Sequence, residues 1–423
     1  MIYSLELHND RDSIRSLDKS LQAILREKGL VTVGGKSVSF CGIVTDKCVL
    51  HAFLPRETRI DFDKHADKTL LASEMLTAIH RYSTTKKNEI SADDEGDDCT
   101  GINKLSSIIW LLNDFRVNGL FSKRRKRNVI NSGKADWKKT ISRRTAFVND
   151  NGPIYLDVDG TSSYRFIGEE ITRIHAEVIR KLDAQFSWLI STKPSRISES
   201  LKSVNPPSGK IDFQIAHLKS QRHSYFATRD LELVSHLIEF LEQIKGQEKQ
   251  SFVMGVKHFH GMWERMLSET LSFNVKLNHL LPTPTYQLSD GSFADAARKG
   301  QRTDIILRRP DSDNFAVVDA KYYGVTKSTS KAPGWPDLVK QFFYAKALTS
   351  YHASAQVSNA FIFPGSKGMI KSAHMKNRQT GLLQDVEYPP IKCIYLCPQL
   401  LIQHYIKGRK LTDLSENLLS SSP

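Results

Sequence analysis

The chain has 423 residues, of which 40% are hydrophobic and 25% charged, and its net charge is +14 at pH 7. This length and apolar content are enough for two or three domains, each with its own core. No apolar run approaches the roughly 18 residues needed to cross a bilayer, and the amino terminus lacks the basic and apolar segments of a signal peptide. The sequence therefore predicts a cytoplasmic protein without membrane contact.

The excess of basic residues favours a polyanionic partner, because neutralising phosphates releases counterions and supplies most non-specific affinity for nucleic acid. The chain contains five cysteines, an odd number without Cys-x-x-Cys pairs or companion histidines at zinc-finger spacing. The cysteines therefore predict free thiols in a reducing compartment.

Residues 1–115 are predicted to form an amino-terminal α+β region. A short strand and a helix come first, and the apolar runs Val38–Val44 and Cys48–Leu54 follow as a hairpin. Helical periodicity then covers Lys64–Tyr82 and Leu105–Phe121. We interpret this region as a surface for partner docking or DNA contact.

One glycine-rich segment resembles a phosphate-binding loop. Gly35-Lys36-Ser37 matches the end of G-x-x-x-x-G-K-[ST], but the position of its first glycine is occupied by Leu30. Such a loop also runs from a strand into a helix, whereas here the predicted helix precedes it and the predicted strand follows. The sequence shows no other nucleotide-binding loop, so any NTPase activity must come from a partner.

Residues 116–250 are predicted to form a basic, largely helical middle region. Arg116–Arg144 contains eleven Lys or Arg residues. The candidate DNA-binding residues in it are Lys123, Arg124, Arg125, Lys126, Arg127, Lys138 and Lys139. The segment is either a loop that follows DNA phosphates or a solvated surface or partner contact, and these interpretations stay open. Helices are predicted at Gly168–Ile190 and Leu231–Ile244 from their apolar stripes.

The third region contains a predicted hairpin with charged ends. Asp304–Leu307 and Phe315–Val318 are short apolar runs separated by turn-forming residues. Because side chains alternate faces along a strand, Asp319 and Lys321 share one face, and the hairpin places Asp304 beside them. Charged groups at the end of a buried strand pair need a partner or a metal ion.

These charged groups fit phosphodiester hydrolysis. Two convergent carboxylates offer the hard oxygen ligands that Mg²⁺ prefers, and a lysine beside them can orient water and stabilise charge on phosphorus. Thr303-Asp304 followed by Asp319-Ala320-Lys321 resembles the PD-(D/E)XK nuclease superfamily, with threonine in place of the usual proline. The resemblance implies a nuclease that uses Mg²⁺, or Mn²⁺ in its place, with Asp304 and Asp319 as metal ligands and Lys321 as a catalytic residue.

The order of elements in residues 251–423 also resembles this superfamily. A helix, the hairpin, a second helix and a strand are predicted, which implies a mixed central sheet flanked by helices, so the chain as a whole is of the α/β (α+β) class. The resemblance places a glutamate of the first helix in the metal site, with Glu264 as the candidate and Glu269 as its rival. In the second helix, Gln341 is either a further site residue or a surface amide.

A second resemblance concerns the middle region. Gly133, Trp137, Thr140 and Ile141 match a G-x-x-x-W-x-x-T-[IV] signature of the LlaJI group of restriction endonucleases, which are related to McrC. We interpret Trp137 as a packing anchor in preference to a base-stacking platform. In McrC-type systems the nuclease acts with a separate AAA+ GTPase of the McrB type. The resemblance therefore implies an endonuclease subunit that defends against phage or other foreign DNA by cutting double-stranded DNA with such a partner.

Two alternatives remain. A stand-alone type II endonuclease would read its own site through the basic middle region, and a non-catalytic subunit would retain the fold as a DNA-binding scaffold. The filled carboxylate and lysine positions argue against the scaffold. The recognition sequence, a methylation requirement and dimerisation for double-strand cleavage stay open.

Overall fold

The computed structural model describes residues 4–46, 49–61, 64–88, 99–149, 152–166, 169–186, 188, 201–245, 252–295, 302–325 and 332–420. The strands are β1 (Ser4–Asn9), β2 (Phe40–Asp46), β3 (Val49–Leu54), β4 (Cys99–Thr100), β5 (Lys123–Ile130), β6 (Lys134–Ala135), β7 (Phe147–Asn149), β8 (Gly152–Ile154), β9 (Asp159–Phe166), β10 (Val253–Lys257), β11 (Thr285–Gln287), β12 (Phe293–Asp295), β13 (Ile305–Arg308), β14 (Asn314–Ala320), β15 (Gln356–Pro364), β16 (Ser372–Ala373) and β17 (Ile391–Leu396).

The α-helices are α1 (Lys19–Glu27), α2 (His65–Asn88), α3 (Ile102–Asn118), α4 (Trp137–Arg143), α5 (Glu170–Phe186), α6 (Ile211–Gln221), α7 (Thr228–Ile244), α8 (His260–Thr270), α9 (Trp335–Tyr351), α10 (Pro398–Lys407) and α11 (Thr412–Leu419). The mixed α/β class predicted from the sequence is confirmed. Among the helices of the described ranges, none combines the length and apolar content that a bilayer crossing demands.

The chain folds into two compact units. Tyr3–Ile102 and Ser251–Pro423 together form one, here called the discontinuous unit, and Asn103–Gln250 forms the other, the middle unit. This differs from the three consecutive regions expected at 1–115, 116–250 and 251–423. The reason is β10, which was not expected from the sequence and which inserts between β2 and β4 of the amino-terminal sheet.

The first sheet of the discontinuous unit has the strand order β1-β3-β2-β10-β4. The predicted β2–β3 hairpin is present, and β1 pairs with β3 in parallel. Gly42 of β2 lies opposite Gly255 of β10. A Cβ atom on Gly42, whose φ is +148°, would lie 2.1 Å from the carbonyl oxygen of Met254. Glycine is therefore required where these two strands meet.

The second sheet of the discontinuous unit has the strand order β13-β14-β15-β17-β16. The predicted β13–β14 hairpin is antiparallel, whereas β14, β15 and β17 run parallel to one another. Helix α9 packs its Ala347 and Leu348 against Phe315 and Val317, and α8 and α11 also contact β14. A mixed sheet flanked by helices thus holds the ends of β13 and β14 in a fixed relation.

The middle unit is only partly helical. Helices α3, α5, α6 and α7 accompany a sheet of order β5-β9-β6 and a β7–β8 hairpin. The expectation of a largely helical region therefore fails for residues 123–166, whose regular elements are strands apart from α4. Lys123–Ile130 is a strand that pairs along its whole length with β9, and not a loop. Because most of its residues are basic, the strand lacks the alternation of apolar and polar residues that predicts strands. Pairing with β9 stabilises it instead.

Candidate active site

The β13–β14 hairpin brings the first two predicted acids together. Ile305 lies opposite Val318 in the antiparallel ladder, so Asp304 and Asp319 are the next facing positions. The backbone N–H of Ala320 donates a hydrogen bond of 2.8 Å to Oδ2 of Asp304. This bond fixes the Asp304 carboxylate against the end of β14.

Glu264 of α8 joins these two acids. The pKa of Asp304 is raised to about 8, first by burial and then by the charges of Glu264 and Asp319. The pKa of Glu264 is also raised by burial, with Arg302 opposing the shift and Asp319 adding to it. Three carboxylates in a poorly hydrated cluster repel one another unless protons or a cation compensate them. Their oxygen-only donor set fits a hard divalent cation such as Mg²⁺.

Lys321 lies beside this cluster. Its Nζ atom is 2.7 Å from Oδ2 of Asp319 and 2.7 Å from Oδ1 of Asp337, and its side chain is only 13% exposed. Burial opposes the charged form, but the hydrogen bonds to the two carboxylates prevail, so the pKa of Lys321 is raised. The lysine is a fixed ammonium group at the edge of the acidic cluster.

Asp337 is a site residue that the sequence reading missed. It lies in the first turn of α9, where Gly334 donates its backbone N–H to Oδ2 of Asp337 over 3.3 Å. The other oxygen, Oδ1, accepts from Lys321. The available signal was Gly334-Trp335-Pro336-Asp337, which has the proline and the acid of a helix start. This pattern indicates the start of a helix, but it does not show which side chain the acid contacts.

The structure separates the two glutamates proposed for α8. Glu269 accepts hydrogen bonds from Arg81 at 3.0 Å and from Arg265 at 2.6 Å. It is therefore engaged in an ion-pair network with α2. Glu264 instead lies close enough to Asp304 and Asp319 for their charges to interact. Its position agrees with the preference for Glu264 over Glu269.

Gln341 is fully buried, so the surface-amide alternative is wrong. Neither its Oε1 nor its Nε2 has a hydrogen-bond partner among the described residues. It lies one turn after Asp337 and one turn before Tyr344, on the same face of α9. The Tyr344 hydroxyl donates to the Arg302 carbonyl over 3.1 Å, and its pKa is raised by burial and then by Asp304 and Asp319. Gln341 therefore lies between two residues that reach the site.

The predicted DNA-binding residues lie in the middle unit. Lys123, Lys126, Arg127 and Lys138 are exposed, Lys139 is half-buried, and the side chains of Arg124 and Arg125 are outside the described set. The Arg127 guanidinium lies 5.7 Å from the centre of the Tyr164 ring. Trp137 is 56% exposed, so its interpretation as a packing anchor is wrong. The surface is basic and carries exposed aromatic groups.

The geometry thus defines a mixed α/β protein in which one lysine contacts an acid of a hairpin and an acid of a helix. This chain belongs to the LlaJI restriction endonuclease family, which matches residues 40–379 and so includes every residue of the acidic cluster. The family resemblance found in the sequence is confirmed.

The chain is also similar to a named restriction protein. It is 23% identical over 372 residues to the type II restriction enzyme BsuMI component YdjA of Bacillus subtilis (strain 168), which covers 85% of this chain and 79% of that protein.

Two solved structures are similar at low identity. A chain of the half-complex of Thermococcus gammatolerans McrB AAA+ hexamers with bound McrC is 12% identical, with a TM-score of 0.41 over 96% of this chain and 99% of that chain. A chain of the Thermococcus gammatolerans McrBC complex is 11% identical, with a TM-score of 0.29 over 62% and 85%.

Proposed function

We propose that this member of the restriction endonuclease family is the Mg²⁺-dependent DNA-cleaving subunit of a restriction system. The observation that supports this most strongly is the convergence of Asp304, Asp319 and Lys321 at the ends of two paired strands. A partly buried acidic cluster with a lysine has no evident structural purpose, because hydrophobic side chains often stabilise such a position as well or better.

Within this proposal, Asp304, Asp319 and Glu264 hold Mg²⁺, or Mn²⁺ in its place. Such an ion, when bound, supplies a Lewis acid for the phosphoryl oxygens and lowers the pKa of a coordinated water molecule. Lys321 orients the attacking water and stabilises the charge that develops on phosphorus. Asp337 holds the lysine in position. The Ala320 N–H prevents the Asp304 carboxylate from rotating away.

The catalytic assignment is tested by single-turnover cleavage of plasmid DNA. We expect Asp304→Asn, Asp319→Asn and Lys321→Met each to lower the rate by at least about a hundredfold to a thousandfold. Asp311→Asn is the matched control, because Asp311 is an exposed turn residue of the same hairpin. EDTA should stop cleavage, and Mg²⁺ or Mn²⁺ should restore it. Cleavage at the unaltered rate by Asp319→Asn would remove the basis of the proposal.

We further propose that the subunit acts with an AAA+ GTPase of the McrB type. The sequence resembles the McrC-related group and contains no nucleotide-binding loop of its own. The Bacillus subtilis relative is described as a component of a type II restriction enzyme, which supports action with other subunits. DNA recognition and movement along DNA would then be functions of the partner.

The partner proposal is tested by mixing the purified chain with the GTPase encoded beside it. We expect slow cleavage at physiological salt without the partner and fast cleavage after the GTPase and GTP are added. A GTPase variant that binds but does not hydrolyse GTP is the control. Robust cleavage at one specific sequence by the chain alone with Mg²⁺ would instead support the stand-alone endonuclease.

A further inference from the structure

A second group of metal-ligating side chains lies on the first sheet of the discontinuous unit, apart from the acidic cluster of the second sheet. Glu6 and His8 belong to the edge strand β1, and His51 belongs to its parallel neighbour β3. Glu6 faces His51 directly in the register, and His8 is two residues further along β1. Because side chains alternate along a strand, all three project from the same face of the sheet.

The three ligand atoms form a compact triangle. Nε2 of His8 is 3.1 Å from Nδ1 of His51, which is 3.3 Å from Oε2 of Glu6, and Oε2 is 3.9 Å from Nε2 of His8. Ligands of a tetrahedral zinc ion at about 2.0–2.1 Å from the metal stand about 3.3 Å from one another. The triangle therefore already has nearly the dimensions of three vertices of such a site.

We propose that Glu6, His8 and His51 bind a divalent transition-metal ion, with Zn²⁺ as the best fit. Two imidazoles and one carboxylate are the ligand set of many zinc sites with one open position. Mg²⁺ is excluded by its preference for oxygen ligands and octahedral geometry. The Glu6 side chain is 53% exposed, so water completes the coordination from the solvent side.

The surroundings of the triangle prepare the two rings for a cation. His8 stacks on Phe53 with ring centres 5.0 Å apart, which fixes its orientation. The negative charges of Glu6, Asp18 and, at His51, Asp46 act on the two rings, and these charges favour a bound cation.

A cation bound by all three atoms would join the edge strand β1 to β3, because Glu6 and His8 belong to β1 and His51 belongs to β3.

The test must separate this site from the acidic cluster, so it uses the full chain with Asp304→Asn and Asp319→Asn as background. After dialysis against Zn²⁺ in excess Mg²⁺, metal analysis should find one zinc ion per chain. We expect His8→Gln or His51→Gln to weaken Zn²⁺ binding by more than the roughly tenfold to hundredfold loss typical of outer-shell partners. His223→Gln, an exposed histidine of the middle unit, is the matched control and should retain the ion.

Two further measurements do not depend on zinc stoichiometry. Co²⁺ in place of Zn²⁺ should give the intense visible absorption of a tetrahedral site with nitrogen ligands, and Glu6→Gln should change that spectrum. Zn²⁺ should raise the Tm of the background protein and leave that of the His8→Gln protein unchanged. Glu6 is half-exposed, so its variant serves if His51→Gln does not fold. Equal zinc content in the His8→Gln protein, or no bound zinc in the background, would overturn the proposal. Neither result would bear on the nuclease site, which the background removes.

Discussion

Lys321 and Asp337 form a 2.7 Å ion pair between the end of β14 and the first turn of α9. The pair connects the lysine of the candidate active site to the helix that also carries Gln341 and Tyr344. Asp319 contacts the same ammonium group, also at 2.7 Å. The position of α9 therefore determines where the lysine points.

We expect Asp337→Asn to lower single-turnover cleavage by about tenfold to a hundredfold, the usual effect of losing an outer-shell partner. The amide can still accept the Gly334 N–H and preserve the helix start, but it no longer attracts the lysine as a full charge. Mg²⁺ affinity, measured by calorimetry, should stay unchanged because Asp337 is not among the proposed ligands. Asp413→Asn, in the first turn of α11, is the control. A normal rate for Asp337→Asn would show that Asp319 alone is sufficient to hold the lysine.

The same substitution at the two glutamates of α8 should have different effects on Mg²⁺ binding and cleavage. Glu264→Gln should weaken Mg²⁺ binding and cleavage, because it removes one of three clustered carboxylates. Glu269→Gln should leave both unchanged and lower the free energy of unfolding by less than about 1 kcal/mol, as is usual for partly exposed ion pairs with Arg81 and Arg265. Metal titration and chemical denaturation of both proteins measure these effects. Loss of cleavage with Glu269→Gln alone would reverse the assignment.

Elements that follow a local sequence pattern are predicted better than contacts between distant segments. The β13–β14 hairpin was predictable because two apolar runs are separated by turn residues, and that hairpin alone brings Asp304 to Asp319. Helices α5 and α7 were predictable from their apolar stripes. These elements are specified by local patterns, and the structure confirms them.

Other features depend on contacts between distant parts of the chain. Val253–Lys257 was not predicted to be a strand, yet it pairs with β2, about 200 residues earlier. Asp337 has the pattern of a helix start, but only the fold shows that it binds Lys321. The triangle of Glu6, His8 and His51 depends on the parallel register of β1 and β3. Along the chain, Glu6 and His8 are 43 or more residues from His51. Spacing along the chain carries no signal for such contacts.

The basic strand β5 gives a test of DNA binding with an internal comparison. Lys123 and Arg127 lie on one face because they are four residues apart in a strand, whereas Lys126 lies on the other. Arg127 shares its face with Tyr164, and basic groups beside an exposed aromatic ring are typical of nucleic-acid surfaces. We expect Lys123→Gln with Arg127→Gln to weaken DNA binding and to reduce the slope of log affinity against log salt by about 2.

Lys126→Gln is the comparison variant, and fluorescence anisotropy at several salt concentrations is the measurement. For Lys126→Gln, the slope of log affinity against log salt should change by less than it does for the double variant. An unchanged slope in the double variant would favour a solvated surface. Unchanged DNA affinity with reduced stimulation of the GTPase would identify the strand as a partner contact.

His175 should make the middle unit sensitive to acid. It is completely buried, its Nδ1 accepts the Phe121 N–H at 3.1 Å, and burial lowers its pKa from 6.5 to about 4. Because the folded state disfavours the proton, the associated stability is present above pH 6.5 and is lost as the pH falls towards 4. The total loss should be about 3 kcal/mol. Hydrogen exchange of the α5 amides at several pH values measures it.

The comparison variant is His175→Asn, whose amide oxygen can accept the Phe121 N–H but does not titrate. It should be less stable at neutral pH and should show a flatter dependence on pH between 6.5 and 4. The Asp114–Arg229 ion pair is present in both proteins, so its own response to acid cancels in the comparison. An equally steep dependence in His175→Asn would assign the acid sensitivity to other groups.

Gln341 allows structural and functional roles to be distinguished, because they predict opposite combinations of stability and activity. A buried amide without hydrogen-bond partners costs about 1–3 kcal/mol relative to a satisfied one. Gln341→Met, which keeps the length of the side chain, should therefore raise the free energy of unfolding by about 1 kcal/mol. If the amide binds water or a DNA phosphate during cleavage, the same substitution should lower the single-turnover rate by more than about tenfold.

Gln356→Met, at an exposed position of β15, is the control for the exchange of an amide for a thioether. Higher stability of the Gln341→Met protein with unchanged cleavage would show that the Gln341 amide has no part in the reaction. Lower stability would show that it has a partner within the fold.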